Sequence, residues 1–373
     1  MRTSGRIKVL HVVFTLDPGG MENGVVNVAR ALPADRFEIH VCCLEHSGAF
    51  AQRLPQPENV HELHRPPGFS LRAVLGLNRV IARVRPHVVH SHNLGPMIYS
   101  VLATGFGRTR PVLQGEHTLL TPWEREPRRL GQRRLCYRCC ARIHTVSHNV
   151  RRNLIDLGFP ADRIVTLRNG VDSEKFRPGD RAAARRRIGL PAEGVVLGMV
   201  GRFAPGKGHD NLIAAFEQLA ADRPDVQLLL IGGGGSQEAA IRQLAAGTRA
   251  AGRIHFTGHQ DDLTVYYQAL DLLVFASLHE GLSNALLEGM ACGVPTLAHP
   301  AEGNLEVITD GHNGLLRPLD SGDKLRLALA EALAQPGRLA AWGHQAREEA
   351  VREFSMQQMV DKYREIYEQL ADG

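Results

Sequence analysis

The chain has 373 residues, of which 43% are hydrophobic and 22% are charged. This length fits two domains of ordinary size, and the composition is that of a folded globular protein and excludes a disordered or fibrous one. The net charge is +5, but only 5% of the residues are aromatic and no nucleic-acid-binding motif appears, so a nucleic-acid partner is not expected.

Short β-branched runs alternate with helical stretches along the whole chain, a pattern that predicts parallel α/β structure. The strands predicted in the first half span residues 8–14, 38–44, 87–91, 112–114, 143–146 and 164–167. Helices are predicted between them, for example over 23–31 and 71–84. The strands predicted in the second half span residues 195–200, 227–231, 254–256, 272–275 and 296–298. Both halves therefore predict Rossmann-like sheets, whose ligand sites lie at the carboxyl ends of the strands.

The boundary between the halves is predicted near Asn169–Asp172, which gives a first domain over residues 1–172 and a second over 173–354. A final helix over 355–370 begins with a capping box and carries its apolar residues on one face. Two such domains facing one another would form a cleft, which is a preferred location for a small-molecule site.

The compartment is predicted from what the sequence lacks. No run of eighteen apolar residues predicts a membrane-spanning helix. The basic start of the chain leads into a short apolar run without a small-residue cleavage site, and we interpret it as the first strand. The six cysteines form no disulfide framework, which indicates a reducing cytoplasm. Cys136 and Cys139 lack the second pair that a structural zinc site needs.

Arginines are concentrated between Trp123 and Arg152, and the segment Arg125–Arg142 is the densest part. Such a basic segment suits an anionic partner such as phosphate or acidic lipid headgroups, which makes contact with an anionic membrane surface one interpretation. A solvated helix face without a partner is the other interpretation, and both stay open.

The stretch Glu280–Pro295 reads EGLSNALLEGMACGVP and follows a predicted strand. Ser283 or Asn284 can cap a helix that begins there. The N-terminus of such a helix presents N–H groups and a positive dipole end, which suits a diphosphate. Glu280 precedes the helix and Glu288 lies within it, and carboxylates in these positions can accept hydrogen bonds from sugar and ribose hydroxyls. On spacing alone, an ordinary capped helix with a surface glutamate fits as well.

A second motif, Gly201–Gly208, nearly fits a nucleotide-binding P-loop that follows a strand. The last position is Gly208, so the hydroxyl that would hold magnesium is missing. Arg202 brings a forked guanidinium and Lys207 a point charge, and together they can neutralise a diphosphate without a metal.

Three further features occur at predicted strand ends. Gly19 and Gly20 join the first strand to the first helix, and Gly232–Gly235 follows a strand of the second half. Glycine there permits close backbone approach to a ligand, although a bare turn explains it equally. In the first half His117 follows a strand, and His90 and His92 alternate on another. We interpret the alternating pair as structural or acceptor-side residues and not as metal ligands.

These motifs together resemble the retaining GT-B glycosyltransferases of family four. Glu280–Pro295 is similar to the family's E-x7-E signature, with Ser283 where the family has Pro or Gly. Gly201–Gly208 is similar to its G-R-[FL]-x-x-x-K-G motif. The resemblance covers nearly the whole chain and implies an α/β GT-B fold of two Rossmann-like domains facing across a cleft. It also implies that the last segment, residues 355–373, crosses back to the N-terminal, acceptor-binding domain.

The resemblance implies a role for each motif. Glu280 would approach the donor sugar, Glu288 would bind the ribose, and His117 would contact the donor sugar near the acceptor. Arg202 and Lys207 would clamp the diphosphate. The remaining donor-binding residues that it implies are Gly19, Gly20, Gly233, Gly281, Leu282, Ser283 and Asn284. It implies no metal and no cofactor, because the nucleotide sugar is a substrate.

The function expected from the resemblance is retaining, metal-independent transfer of a sugar from a UDP- or GDP-sugar to a glycan or lipid-linked acceptor. The opening segment and the Gly115–His117 stretch also resemble glycosyltransferases of exopolysaccharide clusters, which would make the chain cytoplasmic or peripheral at the inner membrane face. The alternatives are a GT-B epimerase or phosphorylase, a P-loop nucleotide-binding protein, and a catalytically silent scaffold.

Overall fold

The computed structural model describes residues 5–372. The basic start of the chain at residues 1–4, used above in the prediction of the first strand, lies outside the described residues. The structure divides the chain into one unit of residues 1–169 and 357–373 and a second unit of residues 170–356. The predicted boundaries at 172 and 354 lie within three residues of these divisions.

The first unit is built on one seven-stranded parallel sheet. Its strands are β1 (Ile7–Val13), β2 (Phe37–Cys43), β3 (Val60–Glu62), β4 (Val88–His92), β5 (Val112–Glu116), β6 (Arg142–Thr145) and β7 (Ile164–Thr166). They lie in the order β3-β2-β1-β4-β5-β6-β7. Strands β1, β4 and β5 are almost entirely buried, including the polar residues His90, His92 and Glu116 at the carboxyl-terminal part of β4 and β5.

Six helices belong to the same unit as this sheet. They are α1 (Gly20–Ala31), α2 (Leu71–Val84), α3 (Leu94–Ala103), α4 (Pro127–Cys139), α5 (His148–Asp156) and α14 (Met356–Asp372). Helix α2 shows the local logic, because the hydroxyl of Ser70 accepts a capping hydrogen bond from Ala73 and the helix ends at Arg85 in the left-handed region. Helix α14 buries the face that contains Tyr363 and Tyr367.

The second unit contains a six-stranded parallel sheet in the order β10-β9-β8-β11-β12-β13. Its strands are β8 (Val195–Val200), β9 (Val226–Ile231), β10 (Ile254–Phe256), β11 (Leu272–Phe275), β12 (Thr296–Ala298) and β13 (Leu315–Leu316). Its helices are α6 (Arg181–Arg187), α7 (His209–Asp222), α8 (Glu238–Ala246), α9 (Thr264–Ala269), α10 (Asn284–Ala291), α11 (Glu302–Leu305), α12 (Gly322–Leu333) and α13 (Pro336–Glu353). The chain enters and leaves this unit at one place, where Val171 forms a parallel bridge with Ser355.

In each sheet the strand order reverses at a single position, between β1 and β4 in the first unit and between β8 and β11 in the second. At such a position the loops that follow the two neighbouring strands turn to opposite faces of the sheet and leave a crevice between them, where ligands bind. The two sheets therefore place the loops after β1, β4, β8 and β11 where a site is expected. Within residues 5–372, no helix is both long enough and apolar enough to cross a membrane.

Candidate functional site

The loops after β8 and β11 are joined in the second unit. The amide of Leu278 donates a hydrogen bond of 2.9 Å to the carbonyl oxygen of Gly206. Gly208 begins α7 with a φ of +82°, and a Cβ built there would lie 2.7 Å from the Cβ of Ala276. Glycine is therefore required at 208 both for its conformation and for the close approach of the two loops.

Two cations of the Gly201–Gly208 motif lie in this joined region. Lys207 Nζ forms an ion pair of 2.5 Å with Glu280 Oε1, and the two side chains are 32% and 14% exposed. The pair links a residue of the loop after β8 to one of the loop after β11. Arg202 is exposed, and its guanidinium makes no hydrogen bond or ion pair with any residue between 5 and 372. The structure thus brings Lys207 and Glu280 together and leaves Arg202 available to a ligand.

Helix α10 begins at Asn284, directly after this loop. Ser283 stands at the N-cap position with an extended backbone, but its side chain makes no capping hydrogen bond. The loop before the helix rests on the backbone of Gly303, whose amide donates to the carbonyl oxygen of Glu280 at 3.1 Å. A Cβ at Gly303 would overlap the carbonyl oxygen of Gly281 at 1.1 Å. Gly303 therefore fixes the position of the Glu280–Gly281 peptide.

Glu288 lies within α10 and is buried, with 8% of its surface exposed. The hydroxyl of Tyr267 lies 3.0 Å from its Oε2 and also 3.0 Å from the carbonyl oxygen of Ala285. Burial is the main cause that raises the pKa of Tyr267 well above its usual range, and the neighbouring Glu288 carboxylate adds to it. Tyr267 therefore stays protonated and can donate to Glu288, which orients the carboxylate.

The Gly232–Gly235 turn follows β9 and is pinned to the loop after β8. The amide of Phe203 donates to Gly234 at 2.9 Å, and the amide of Gln237 donates back to Phe203 at 3.0 Å. Gly233 faces the backbone of the next loop, because a Cβ added there would lie 3.3 Å from the amide nitrogen of His259. The structure thus places Gly233 beside the loop after β8, at the same end of the sheet as Arg202.

The first unit has its own candidate residues at the equivalent position. Gly19 is the N-cap of α1 in an extended conformation and Gly20 is its first residue, directly after β1. A Cβ at Gly19 would lie 2.1 Å from a carboxylate oxygen of Glu22. Nearby, Asp17 and His46 form an exposed ion pair of 2.9 Å. A side chain at 19 would therefore displace the Glu22 carboxylate, which lies in the first turn of α1.

His117 belongs to a group of histidines that converge at the carboxyl ends of β1, β4, β5 and β6. The members of this group, with one tyrosine of α14, are His11, His90, His92, His117, His144 and Tyr367. All are buried except His117, which is half-buried. Burial lowers the pKa of every one of these imidazoles, to about 4 for His117 and to about 3 for His11. The imidazoles are therefore neutral at pH 7.

Hydrogen bonds link these rings to one another. His92 Nδ1 lies 2.9 Å from His117 Nε2, and His92 Nε2 lies 2.9 Å from His11 Nδ1. Two sets of three, His11 with His90 and His92, and His92 with His117 and His144, bring ring nitrogens within 4.8 Å of one another and could hold a metal ion. Tetrahedral zinc separates its nitrogen ligands by about 3.3 Å, so the observed pairs are spaced for hydrogen bonds. That no metal is needed stays a prediction.

Two family comparisons match this chain, and together they span both units. The family described as Glycosyl transferases group 1 matches residues 180–349, and Glycosyltransferase Family 4 matches residues 18–175. The D-inositol 3-phosphate glycosyltransferase of Rhodococcus jostii is 30% identical over 79% of this chain and 69% of its own length. The chain belongs to the group 1 glycosyltransferases.

Another relative and two solved structures are also similar to this group 1 glycosyltransferase. The D-inositol 3-phosphate glycosyltransferase 2 of Catenulispora acidiphila is 28% identical over 92% of this chain and 88% of the relative. Anabaena HepE in complex with UDP-glucose superposes with a TM-score of 0.86 over 98% of this chain and all of that chain, at 23% identity. Sucrose-phosphate synthase from Thermosynechococcus elongatus gives 0.82 at 21% identity, over 98% and 99%. The predicted GT-B fold is confirmed.

The basic segment of this glycosyltransferase is smaller than its sequence suggests. Arg133 belongs to the Arg125–Arg142 segment, but its side chain is fully buried and paired with Glu116 and, at 2.9 Å, with Glu124. The Tyr137 hydroxyl also donates to Glu116 at 2.7 Å. Arg133 is therefore a core residue. Its guanidinium neutralises Glu116, which lies at the end of β5, and Glu124 in the following loop. The exposed arginines that remain are Arg125, Arg128, Arg134, Arg138 and Arg142.

Several residues of the site belong to none of the sequence motifs. Tyr267 and Gly303 contact the E-x7-E stretch from separate elements, and His11 and His144 join the histidine group from β1 and β6. The one local signal is a polar residue within a mostly apolar strand, and it applies to His11 in β1. That signal indicates a buried polar network and does not say which partners meet.

Proposed function

We propose that this group 1 glycosyltransferase moves a sugar from a nucleoside-diphosphate sugar to a glycan or lipid-linked acceptor. The observation that carries the proposal is the cation pair at the strand-order reversal of the second unit. Arg202 is exposed there and makes no hydrogen bond or ion pair with another residue of 5–372, and Lys207 pairs with Glu280 in the loop before α10. A guanidinium, an ammonium and a helix N-terminus are together suited to bind a diphosphate.

The donor proposed is a UDP- or GDP-sugar. HepE forms a complex with UDP-glucose, which favours UDP-sugars among the first donors to test. Glu288, oriented by Tyr267, would accept hydrogen bonds from the ribose, and Glu280 would meet the donor sugar. Gly233, Gly281 and the peptides around Leu282, Ser283 and Asn284 would complete the donor site.

Transfer would occur with retention at the anomeric carbon and without a metal ion. Negative charge develops on the diphosphate as the glycosidic bond breaks, and Arg202 and Lys207 would stabilise it electrostatically. The departing phosphate would then accept the proton of the acceptor hydroxyl on the same face of the sugar. His117 would contact the donor sugar near the acceptor, and Gly19 and Gly20 would lie against the donor.

The test is a donor panel followed by charge removal. We expect one nucleotide sugar of the UDP and GDP series to raise the melting temperature of the full chain and to support release of the nucleoside diphosphate. Arg202→Ala and Lys207→Ala should each lower kcat by about a hundredfold or more. Arg223→Ala removes a cation whose side chain is 39% exposed and whose ion pair with Asp225 lies at the opposite end of the sheet, and it should change kcat less than about twofold.

Two controls separate the rival activities. The anomeric configuration of the product, measured by NMR coupling constants, should match that of the donor, and addition of EDTA should leave the rate unchanged. Incubation with the donor alone should give no epimerised sugar. Wild-type rates in both the Arg202 and Lys207 variants, or no donor binding by the wild type, would refute the proposal.

We further propose a lipid-linked acceptor at an anionic membrane surface, in the setting of exopolysaccharide synthesis. The exposed arginines of α4 lie beside two exposed apolar side chains, Trp123 at 57% and Leu135 at 62%, and Arg129 stacks on the Trp123 ring at 3.1 Å. Basic side chains beside interfacial aromatic and aliphatic ones suit acidic lipid headgroups. Binding to liposomes should require acidic lipid, weaken with salt, and decrease in Arg128→Glu but not in Arg223→Glu. Binding that is indifferent to lipid charge would remove this part of the proposal.

A further inference from the structure

The histidine group forms one unbranched chain of hydrogen bonds, which we call the histidine chain. In order, its members are His117, His92, His11, Tyr367, His90 and His144. The links measure 2.9 Å, 2.9 Å, 3.4 Å, 2.8 Å and 2.8 Å in that order. Each inner imidazole uses one ring nitrogen for each neighbour. The chain therefore has two ends, Nδ1 of His117 and Nδ1 of His144.

The two ends differ in their surroundings. Nδ1 of His144 is buried and has no hydrogen-bond partner among residues 5–372. Nδ1 of His117 also has no hydrogen-bond partner among residues 5–372. The ring of His117 is only half-buried, and its Nδ1 is not a buried atom, so this nitrogen reaches the surface. Gly115 permits this crowding, since a Cβ there would lie 2.6 Å from His144 Nε2 and 3.0 Å from His117 Nε2.

A count of protons shows that only one end can be protonated. A neutral imidazole carries one N–H and a phenol carries one O–H, so the five rings and Tyr367 supply six protons. Each of the five links holds one of them, and one proton is left for either His117 or His144. A buried N–H without an acceptor is rarer in proteins than a buried acceptor without a donor. The remaining proton therefore belongs on Nδ1 of His117. In every link the member nearer to His144 donates the hydrogen bond and the member nearer to His117 accepts it.

We infer that the histidine chain holds His117 in the tautomer that carries its proton on Nδ1, and that His92 is the positioning residue that imposes this tautomer. In this state Nε2 of His117 accepts from His92, and Nδ1 presents an N–H at the surface. His117 would then meet its ligand as a hydrogen-bond donor and not as a base. This catalytic consequence rests on the proposed role of His117, whereas the tautomer itself does not.

The tautomer can be read directly by NMR on the full chain labelled with ¹⁵N-histidine, without donor or acceptor. Two-bond ¹H–¹⁵N spectra at pH 7.5 distinguish the two neutral tautomers, and His117→Gln assigns the His117 signals. We expect the Nδ1–H pattern for His117. His92→Phe should abolish that pattern because the acceptor role of Nε2 is lost. Tyr363→Phe is the control. Tyr363 is buried beside His90 and His144, as His92 is buried in the same group, but no hydrogen bond links its hydroxyl to another described residue.

An Nε2–H pattern in the wild type, or an unchanged His117 pattern in His92→Phe, would overturn the inference. So would one equivalent of a transition metal in the purified protein whose removal by a chelator changes the His117 signals, because a metal would occupy the lone pairs of the chain. The wild-type reading requires only the assignment variant His117→Gln to fold. It is also independent of turnover, so a protein without transferase activity could still show the inferred tautomer.

A functional comparison tests donor against base. His117→Asn places an amide near the position of Nδ1 and keeps an N–H, whereas His117→Asp places only acceptors there. If His117 donates, the Asn variant should keep at least about tenfold more kcat/KM than the Asp variant. The opposite order would show that a base is required at this position and would overturn the donor role.

Discussion

Replacing Arg133 with methionine should destabilise the first unit strongly. The Arg133 side chain is fully buried, and its partner Glu116 is only 3% exposed. Methionine fills a similar volume but leaves the Glu116 carboxylate buried without its cation. Removal of one partner from a buried ion pair costs about 3–5 kcal/mol of unfolding free energy. Tyr137 and Gln114 still donate to Glu116, at 2.7 Å and 3.0 Å, so we expect the lower part of that range.

Hydrogen exchange read by mass spectrometry measures this loss separately in each unit. A loss of about 3 kcal/mol raises the exchange rate of amides that exchange through global opening by roughly a hundredfold. We expect this acceleration in β4, β5 and β6 and none in β8 and β9. Arg134→Met is the matched control, because Arg134 is exposed and its guanidinium makes one hydrogen bond, of 2.9 Å, to the carbonyl oxygen of Leu157. Less than about tenfold acceleration in β5 for Arg133→Met would refute the reasoning.

Two further predictions concern the last glycine of the Gly201–Gly208 motif and the buried histidines. Gly208→Ala should destabilise the second unit by more than about 1 kcal/mol, because φ is +82° and the new Cβ would meet Ala276 at 2.7 Å. Gly206→Ala, with a φ of +78° and nothing within 4 Å, should cost less when both are measured by urea unfolding. The pKa of His117 is lowered to about 4, so the unfolded chain binds more protons than the folded one between pH 6.5 and 4, and stability should fall as the pH falls. His209 in the second unit also has a pKa of about 4. The first unit should depend more steeply on pH, because the pKa values of His11, His90, His92 and His144 are lowered there as well, and equal pH slopes of exchange in both units would contradict this account.

The central strands of both sheets could be predicted from the sequence because each is a buried apolar run between helices. The predicted strands 195–200, 254–256 and 272–275 agree with β8, β10 and β11 to the residue. The predicted strand 112–114 was too short, since β5 continues through Gly115 to Glu116. Those two residues belong to the strand because they pair with β6, and a glycine followed by a charged residue gives no local sign of such pairing.

Two of the four edge strands, β3 and β13, could not be predicted, whereas the edge strands β7 and β10 could. Strand β3 has three residues, none of them fully buried, and β13 has two. Such segments become strands only because a neighbouring strand offers its unpaired backbone groups, as β2 does for Val60–Glu62. Their existence is a consequence of the sheet and has no separate cause in the local sequence.

The same distinction separates the two halves of the candidate site. Lys207 and Glu280 belong to motifs in which short loops follow buried strands, and the reversal of strand order places those two loops together. The sequence therefore contains nearly all the information needed to bring Lys207 and Glu280, two of the proposed donor-binding residues, together. The histidine chain is different, because its links join residues 25 to 356 positions apart and each ring has meaning only through the next. A single histidine in a strand predicts a buried polar group, but the proton count that makes His117 a donor requires every link to be known at once. The chemistry at His117 is thus a property of the folded first unit and of no motif within it.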